Sequence, residues 1–181
     1  MIRGVVSIGT NSTRALVAQF EDGAAPRVLL RRSTGTRIGE GISERGKLDP
    51  AAVGRTLEAV AEHANAVRKL TGNVSAIATS ALRRADDAQP FIEEVQSLCG
   101  VPLLIVSGQE EAHCSYSGAV SALRENCASF GVADLGGGST EYATGDPHDA
   151  RRLTSCEIGA VRLTEAVPEL SGAHGPVSKR V

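Results

Sequence analysis

Two short segments of this 181-residue chain share a Gly-x-x-Ser-Thr turn, and each follows an apolar run. The first covers residues 9–13 and the second covers residues 136–140. Glycine permits close approach and unusual backbone dihedrals, so several backbone N–H groups can turn toward one anion, and the hydroxyls add donors. One such segment alone is also typical of a plain hairpin turn, with glycine chosen for positive φ. Its repetition favours two loops that bind one phosphorylated ligand.

The candidate phosphate-binding residues are the members of these two loops. They are Gly9, Thr10, Asn11 and Ser12 in the first loop and Gly136, Gly137, Gly138 and Ser139 in the second. Asn11 is also typical of a left-handed turn position, which leaves a structural role open for it.

Acidic residues flank the second loop. Asp134 ends the apolar run before the loop and Glu141 follows it, so the pair could hold a hard divalent cation directly or through water. Ser7 lies opposite Asp134 when the two segments are aligned.

The segment SGQEEA at 107–112 predicts a helix start that carries a spare carboxylate. Ser107 and Glu110 have the spacing of a capping box, which gives Glu110 a structural role. Glu111 has no such role. It is either an ordinary acidic residue of a first helical turn or a general base that polarises a water for attack on phosphorus.

Arg83 follows a predicted strand in the segment TSALRRA. A guanidinium presents a fork of donors that suits phosphate, although an arginine at a strand end is often only solvated. We treat Arg83 as a candidate phosphate ligand.

The composition excludes several classes of partner. The net charge is −2, aromatic residues make up 3% of the chain and Trp is absent, so neither a positive field nor base stacking draws nucleic acid to it. There is no run of the ~20 apolar residues that would span a bilayer, and the N-terminus lacks the pattern of a signal peptide. We therefore expect a cytoplasmic protein without nucleic-acid or membrane partners. Its four cysteines (99, 114, 127 and 156) form no C-x-x-C pair and are expected to be buried free thiols.

The apolar periodicity predicts an α/β fold with the order β-β-β-α-β-α-β-α-β-β-β-α, in which helices cover a sheet. The first helix is predicted to run from an Asp49 cap to Gly72, with His63 on its surface, and the next helix from an Asp87 cap to Gly100. Residues 36–48 read as a loop and residues 101–106 as a buried strand.

Five ordered motifs, SIGTNSTRALVA, ATSALRRA, VSGQEEAHCSYSGAV, VADLGGGSTEY and EIGAVRLTEAV, resemble the exopolyphosphatase and guanosine pentaphosphate phosphohydrolase (Ppx/GppA) family. That family lies within the actin and sugar-kinase superfamily and has two ribonuclease-H-like domains around a cleft. The resemblance implies removal of terminal phosphate from polyphosphate or guanosine pentaphosphate with Mg²⁺, and Mn²⁺ as a second candidate. By position, Glu111 matches the catalytic Glu, Arg83 an arginine near the phosphates, and Asp134 and Glu141 acids of the metal region.

The resemblance also sets expectations about completeness. Residues 1–170 are expected to form the N-terminal phosphatase domain and 171–181 a linker-like tail, with the second domain absent and a homodimer or a partner completing the cleft. Ser7 stands where the family usually carries Asp. That difference predicts weaker metal binding, a changed metal preference, or a protein that binds polyphosphate or guanosine tetra- and pentaphosphate without turnover.

Overall fold

The computed structural model describes residues 1–123 and 127–167. Its elements in chain order are β1 (Ile2–Ile8), β2 (Ser12–Gln19), β3 (Arg27–Gly35), α1 (Ile42–Arg45), α2 (Pro50–Arg68), β4 (Val74–Ala78), α3 (Ser80–Arg84), α4 (Gln89–Cys99), β5 (Leu103–Ile105), α5 (Gly108–Ser121), β6 (Phe130–Leu135), β7 (Thr140–Gly145), β8 (Ala150–Cys156) and α6 (Ala160–Ala166). This order confirms the predicted α/β class.

The strands form two sheets rather than one. Five of them make a mixed sheet in the order β3-β2-β1-β4-β5, in which β1, β2 and β3 are antiparallel neighbours and β4 and β5 run parallel to β1. This is the ribonuclease-H-like arrangement that the resemblance implied. Helix α2 packs against this sheet and against α4, and their apolar side chains form the main core.

The second sheet, β6-β7-β8, repeats the first three strands of the larger sheet. In β1–β2 the last pair before the loop is Ile8 with Thr13, and in β6–β7 it is Leu135 with Thr140. The next pairing, β2 with β3 and β7 with β8, also shifts its register at the same place in both sheets. The shift follows Val17 in β2 and Thr144 in β7, each four residues beyond the respective threonine. The similarity of the two loops therefore extends to the strands that carry them.

Helix α2 begins as its sequence predicts and ends earlier. The side chain of Asp49 accepts a hydrogen bond from the backbone N–H of Ala52 at 3.0 Å, and Pro50 occupies the first turn. The helix ends at Arg68, before the predicted stop at Gly72. Its inner face includes His63, which is buried and lies 3.3 Å from the carbonyl oxygen of Thr13 through Nε2, so the predicted surface position was wrong.

Helix α4 begins differently from the prediction. Ala88 is its N-terminal cap, and Asp87 instead accepts a hydrogen bond from the backbone N–H of Leu48 at 3.0 Å. This hydrogen bond joins the segment between α1 and α2 to the segment that precedes α4. The predicted end at Gly100 is confirmed, with φ of 70° in the left-handed region that glycine tolerates.

Three smaller expectations also change. The predicted loop at 36–48 contains the short helix α1 and the buried side chains of Ile38 and Ile42. Strand β5 is a short edge strand on which Leu104 and Ile105 are exposed, so it is not a buried strand. Of the free cysteines only Cys99 is buried, whereas Cys114, Cys127 and Cys156 are exposed.

The predicted boundary between 170 and 171 lies outside the described residues. Among those that are described, no helix is long and apolar enough to cross a bilayer.

Candidate active site

A cavity of about 890 Å³ lies where the two sheets meet. Both glycine loops, the first turn of α5 and the inner side of α6 line this cleft. The predicted site residues among its lining are Gly9, Thr10, Asn11, Ser12, Glu111, Asp134, Gly136, Gly137, Gly138 and Ser139. Residues more than 120 positions apart in the chain are thus brought together.

The two loops are closed by the same hydrogen bond. The backbone N–H of Gly9 donates to the carbonyl oxygen of Ser12 at 3.0 Å, and that of Gly136 donates to Ser139 at 2.9 Å. None of the loop glycines has a positive φ. The alternative explanation, a hairpin turn that needs glycine for its dihedrals, therefore does not account for them.

Close approach explains the glycines instead. A Cβ on Gly138 would lie 2.5 Å from Oγ1 of Thr10 and 2.6 Å from Oγ of Ser80. A Cβ on Gly137 would lie 3.1 Å from the Cβ of Asn11. The second loop packs directly against the first loop and against the start of α3, which larger residues would prevent.

Backbone N–H groups of neighbouring segments donate hydrogen bonds to the carbonyl oxygens of both loops. The carbonyl oxygen of Asn11 accepts from the N–H groups of Thr36 and Arg37, both at 3.1 Å. The carbonyl oxygens of Gly136 and Gly137 accept from the first N–H groups of α6 at 2.9 Å. Because N–H and C=O point in opposite directions in a trans peptide, the N–H groups that follow these carbonyls point away from the backing elements. This orientation makes them available to an anion between the loops.

Glu111 enters the cleft from the capped start of α5. Ser107 Oγ accepts from the N–H of Glu110 at 3.2 Å, and the Glu110 carboxylate accepts from the N–H of Ser107 at 2.7 Å, which confirms the capping box. The hydrogen bond from the Ser107 N–H, together with the Ser107 hydroxyl, lowers the pKa of the Glu110 carboxyl group. Glu110 therefore caps the start of α5, and of these two glutamates it is Glu111 that lines the cleft.

The Glu111 carboxyl group has a pKa above its usual range. Burial is the main cause, and the charges of Glu141 and Asp134 raise the pKa further, whereas Arg83 lowers it. Arg83 Nη1 donates to Oε2 of Glu111 at 3.0 Å and to the carbonyl oxygen of Val106 at 2.8 Å. The pair is mostly buried, with side-chain exposures of 18% and 19%.

The structure places Arg83 behind Glu111 rather than in the lining of the cleft. Its second nitrogen, Nη2, lies 3.7 Å from the carboxylate of Glu157, a residue between β8 and α6 that the sequence did not single out. Glu157 also pairs with Arg162 at 2.7 Å. Arg83 thus links Glu111 to the segment between β8 and α6.

The two predicted metal ligands sit side by side on adjacent strands. Asp134 lines the cleft and accepts from Ser115 Oγ at 2.5 Å. Glu141, its register partner, is buried, and its Oε1 accepts from Ser155 Oγ at 2.7 Å. Its other carboxylate oxygen, Oε2, is buried without a hydrogen-bond partner in the described structure.

Asp134 and Glu141 have the hard oxygen donors that suit a divalent cation such as Mg²⁺, although only Asp134 lines the cleft. In residues 1–123 and 127–167, no three His, Cys, Asp or Glu side chains come together as a ready-made metal cluster. Mg²⁺ commonly takes only one or two carboxylates, with waters and phosphate oxygens completing its shell. Asp134 in the cleft wall and the unpaired oxygen of Glu141 provide that number.

Several cleft residues were missed by the sequence reasoning. They are Arg14, Arg37, Glu40, Thr79, Ser115 and Glu165. Glu165 Oε1 accepts from the backbone N–H of Gly41 at 2.7 Å, which joins α6 to the start of α1 across the cleft. The hydroxyl of Thr79 in ATSALRR was a usable signal, since it follows a strand directly, whereas the others depend on the tertiary fold.

The family model of the Ppx/GppA phosphatase family matches residues 16–169. The chain belongs to the Ppx/GppA phosphatase family. It is 36% identical over 169 residues to Exopolyphosphatase 2 of Mycobacterium tuberculosis, which covers 88% of this chain and 53% of that protein. It is 29% identical to the guanosine-5'-triphosphate,3'-diphosphate pyrophosphatase of Vibrio parahaemolyticus, over 88% of this chain and 32% of that protein.

A solved structure of the Aquifex aeolicus Ppx/GppA family member superposes with a TM-score of 0.77 at 31% identity. The match covers 91% of this chain and 54% of the Aquifex chain. The chain therefore spans about half the length of the solved relative and of the mycobacterial relative.

Proposed function

We propose that the cleft hydrolyses terminal phosphoanhydride bonds of inorganic polyphosphate, guanosine pentaphosphate or both, and releases orthophosphate. One observation carries the proposal: two loops closed by the same hydrogen bond meet at a cleft that the spare carboxylate Glu111 also lines. Family membership and the names of the relatives support the choice of substrates.

In this proposal the loops position the phosphates. The outward N–H groups at Gly137 and Gly138 and those of the first loop donate to phosphate oxygens, with the hydroxyls of Thr10 and Ser139 beside them. Phosphoryl transfer depends mainly on positioning and on stabilisation of charge, and preorganised backbone donors serve both.

Glu111 acts as the general base. A water oxygen attacks the terminal phosphorus while its proton passes to the Glu111 carboxylate, and the bond from phosphorus to the bridging oxygen breaks. The shortened chain leaves with the bridging oxygen and its negative charge. The raised pKa makes Glu111 a better proton acceptor than an ordinary carboxylate, and Arg83 orients it and keeps it ionised.

A bound Mg²⁺, or Mn²⁺ in its place, would offset the charge of the phosphates. Asp134 and Glu141 would hold it. We further propose that the protein works in the cytoplasm. We also propose that a second copy of the chain or a partner protein contributes to the cleft.

The test compares two adjacent carboxylates. We expect Glu111→Gln to lower phosphate release from polyphosphate and from guanosine pentaphosphate by about 10²- to 10⁴-fold, because the base is lost. Glu110→Gln is the matched control. Its amide oxygen still accepts from the Ser107 N–H, so the helix start and the rate should persist.

Equal rates for Glu111→Gln and the unaltered protein would refute the assigned base. Binding of polyphosphate by the unaltered protein with no turnover at any divalent metal would replace the proposal with a binding module.

A further inference from the structure

Arg37 has a strained backbone that its surroundings hold in place. It is the one non-glycine residue of the described chain with a positive φ, 51°. Its N–H donates to the carbonyl oxygen of Asn11, and its neighbours Thr36 and Ile38 are fully buried. Such a conformation persists in a folded protein where the surroundings determine it, and such residues cluster at ligand sites. The direction in which the Arg37 side chain leaves the backbone is therefore fixed.

The side chain of Arg37 is exposed and lines the cleft beside the first loop. It makes no hydrogen bond or ion pair with any residue in the described ranges. A guanidinium binds phosphate oxygens through a fork of N–H donors. Here that fork is presented next to a proposed phosphate site with its donors unoccupied.

A second cavity, of about 620 Å³, continues from the cleft at this point. The two cavities share Asn11, Arg37 and Glu40, and the second one extends to Gly35 and Arg55. Arg55 donates to the carbonyl oxygen of Thr36 at 3.3 Å and pairs with Glu40 at 3.2 Å. The charge of Glu40 is thereby offset, and the charge of Arg37 makes this side groove positive.

We propose that Arg37 and this side groove form a second phosphate subsite for a ligand whose first phosphates are held by the two loops. The inference rests on the proposed function, since it requires a phosphorylated ligand in the cleft. Two ligand types present such a group: the inner phosphates of a longer polyphosphate chain and the 3'-diphosphate of guanosine pentaphosphate. Both share the chemistry of a phosphate group beyond the reacting end.

The experiment compares affinities within two ligand pairs by isothermal titration calorimetry in EDTA. The pairs are long-chain polyphosphate with tripolyphosphate, and guanosine pentaphosphate with GTP. We expect Arg37→Gln to lower the affinity for the larger ligand, relative to the smaller one, by about three- to tenfold in at least one pair. Arg37→Lys should restore part of that affinity difference. The pair that responds identifies the source of the second phosphate group.

Arg32→Gln is the matched control, because Arg32 is an exposed arginine of β3 outside both cavities. The subsite would be overturned, and the proposed function left intact, by any of three results. These are an equal loss of affinity for both members of each pair, no loss of affinity, or the same change in Arg32→Gln. Failure of the unaltered protein to bind any of the four ligands, both in EDTA and with Mg²⁺, would overturn both proposals.

Discussion

At the scale of single residues, the proposed chemistry depends on the surroundings of Glu111. Burial and two neighbouring carboxylates favour its protonated form, and Arg83 opposes them. A base must be deprotonated to act, so activity should fall as the pH drops through the raised pKa of Glu111. Arg83 extends the active range toward lower pH.

Arg83→Gln tests this balance. Without the guanidinium the pKa of Glu111 rises further, so the acidic limb of the rate–pH profile should move to higher pH, and the maximal rate should fall about tenfold because Glu111 also loses its orienting contact. Arg84→Gln is the matched control, since among the described residues the Arg84 side chain hydrogen-bonds only to Ser43 Oγ, at 3.5 Å. An unmoved acidic limb in Arg83→Gln would contradict the assignment of that limb to Glu111.

Ser7 provides a second test at this scale, because a hydroxyl lines the cleft where the second loop has Asp134 at the corresponding position. We expect Ser7→Asp to tighten Mg²⁺ binding about tenfold, since a carboxylate is a stronger ligand for a hard cation. Calorimetric titration of the protein with Mg²⁺ measures this directly. Ser75→Asp, on an exposed position of β4, controls for charge alone, and equal affinities in the two variants would refute the prediction.

At the scale of elements, the site is made by two hairpins whose tips touch. The loops can meet because Gly137 and Gly138 have no side chains at the contact with Thr10, Asn11 and Ser80. Glycine is costly in backbone entropy, and the close approach is what it makes possible here.

Gly138→Ala should separate the two loops. The new methyl group would meet the short, buried side chains of Thr10 and Ser80, which have little room to move. We expect a loss of about 1–3 kcal/mol of unfolding free energy in urea and a fall in phosphate release of tenfold or more.

Gly54→Ala is the control for this substitution. Gly54 lies within α2 with open space around it, so alanine there should stabilise the protein by up to about 1 kcal/mol and preserve the rate. Normal activity in Gly138→Ala would show that the contact between the loops is dispensable.

At the scale of the whole molecule, the two sheets differ in how the strand that precedes each glycine loop is paired. Strand β1 pairs with β2 on one side and with β4 on the other, whereas the described structure pairs β6 with β7 alone. The open edge of β6 ends at Leu135, a residue at the rim of the cleft that is 78% exposed. An unpaired edge that carries an apolar residue favours association with another chain.

We therefore expect concentration-dependent self-association in sedimentation velocity. Leu135→Lys should weaken it about tenfold, because a charge at an edge strand opposes pairing. Leu70→Lys, at an exposed leucine beyond the end of α2 that belongs to no strand, should leave it unchanged. A monomer at every concentration would contradict this prediction.

Local signals in the sequence were sufficient for much of the fold and for many of the side chains that line the cleft. The capping box separated Glu110 from Glu111, the Asp49 cap and Pro50 marked the start of α2, and the repeated turn located both loops. These features depend on neighbours within a few residues, so the order of residue types is enough to predict them.

Only the tertiary structure decided which distant groups meet. His63 was assigned to the surface because a lone histidine beside an apolar stripe does not reveal that Thr13 and Thr34 lie opposite it. Arg37, Glu157 and Glu165 were likewise missed. Glu157 pairs with Arg83 and Glu165 accepts from Gly41, which are remote in the chain, and the place of Arg37 in the cleft depends on the fold. No local pattern encodes such contacts.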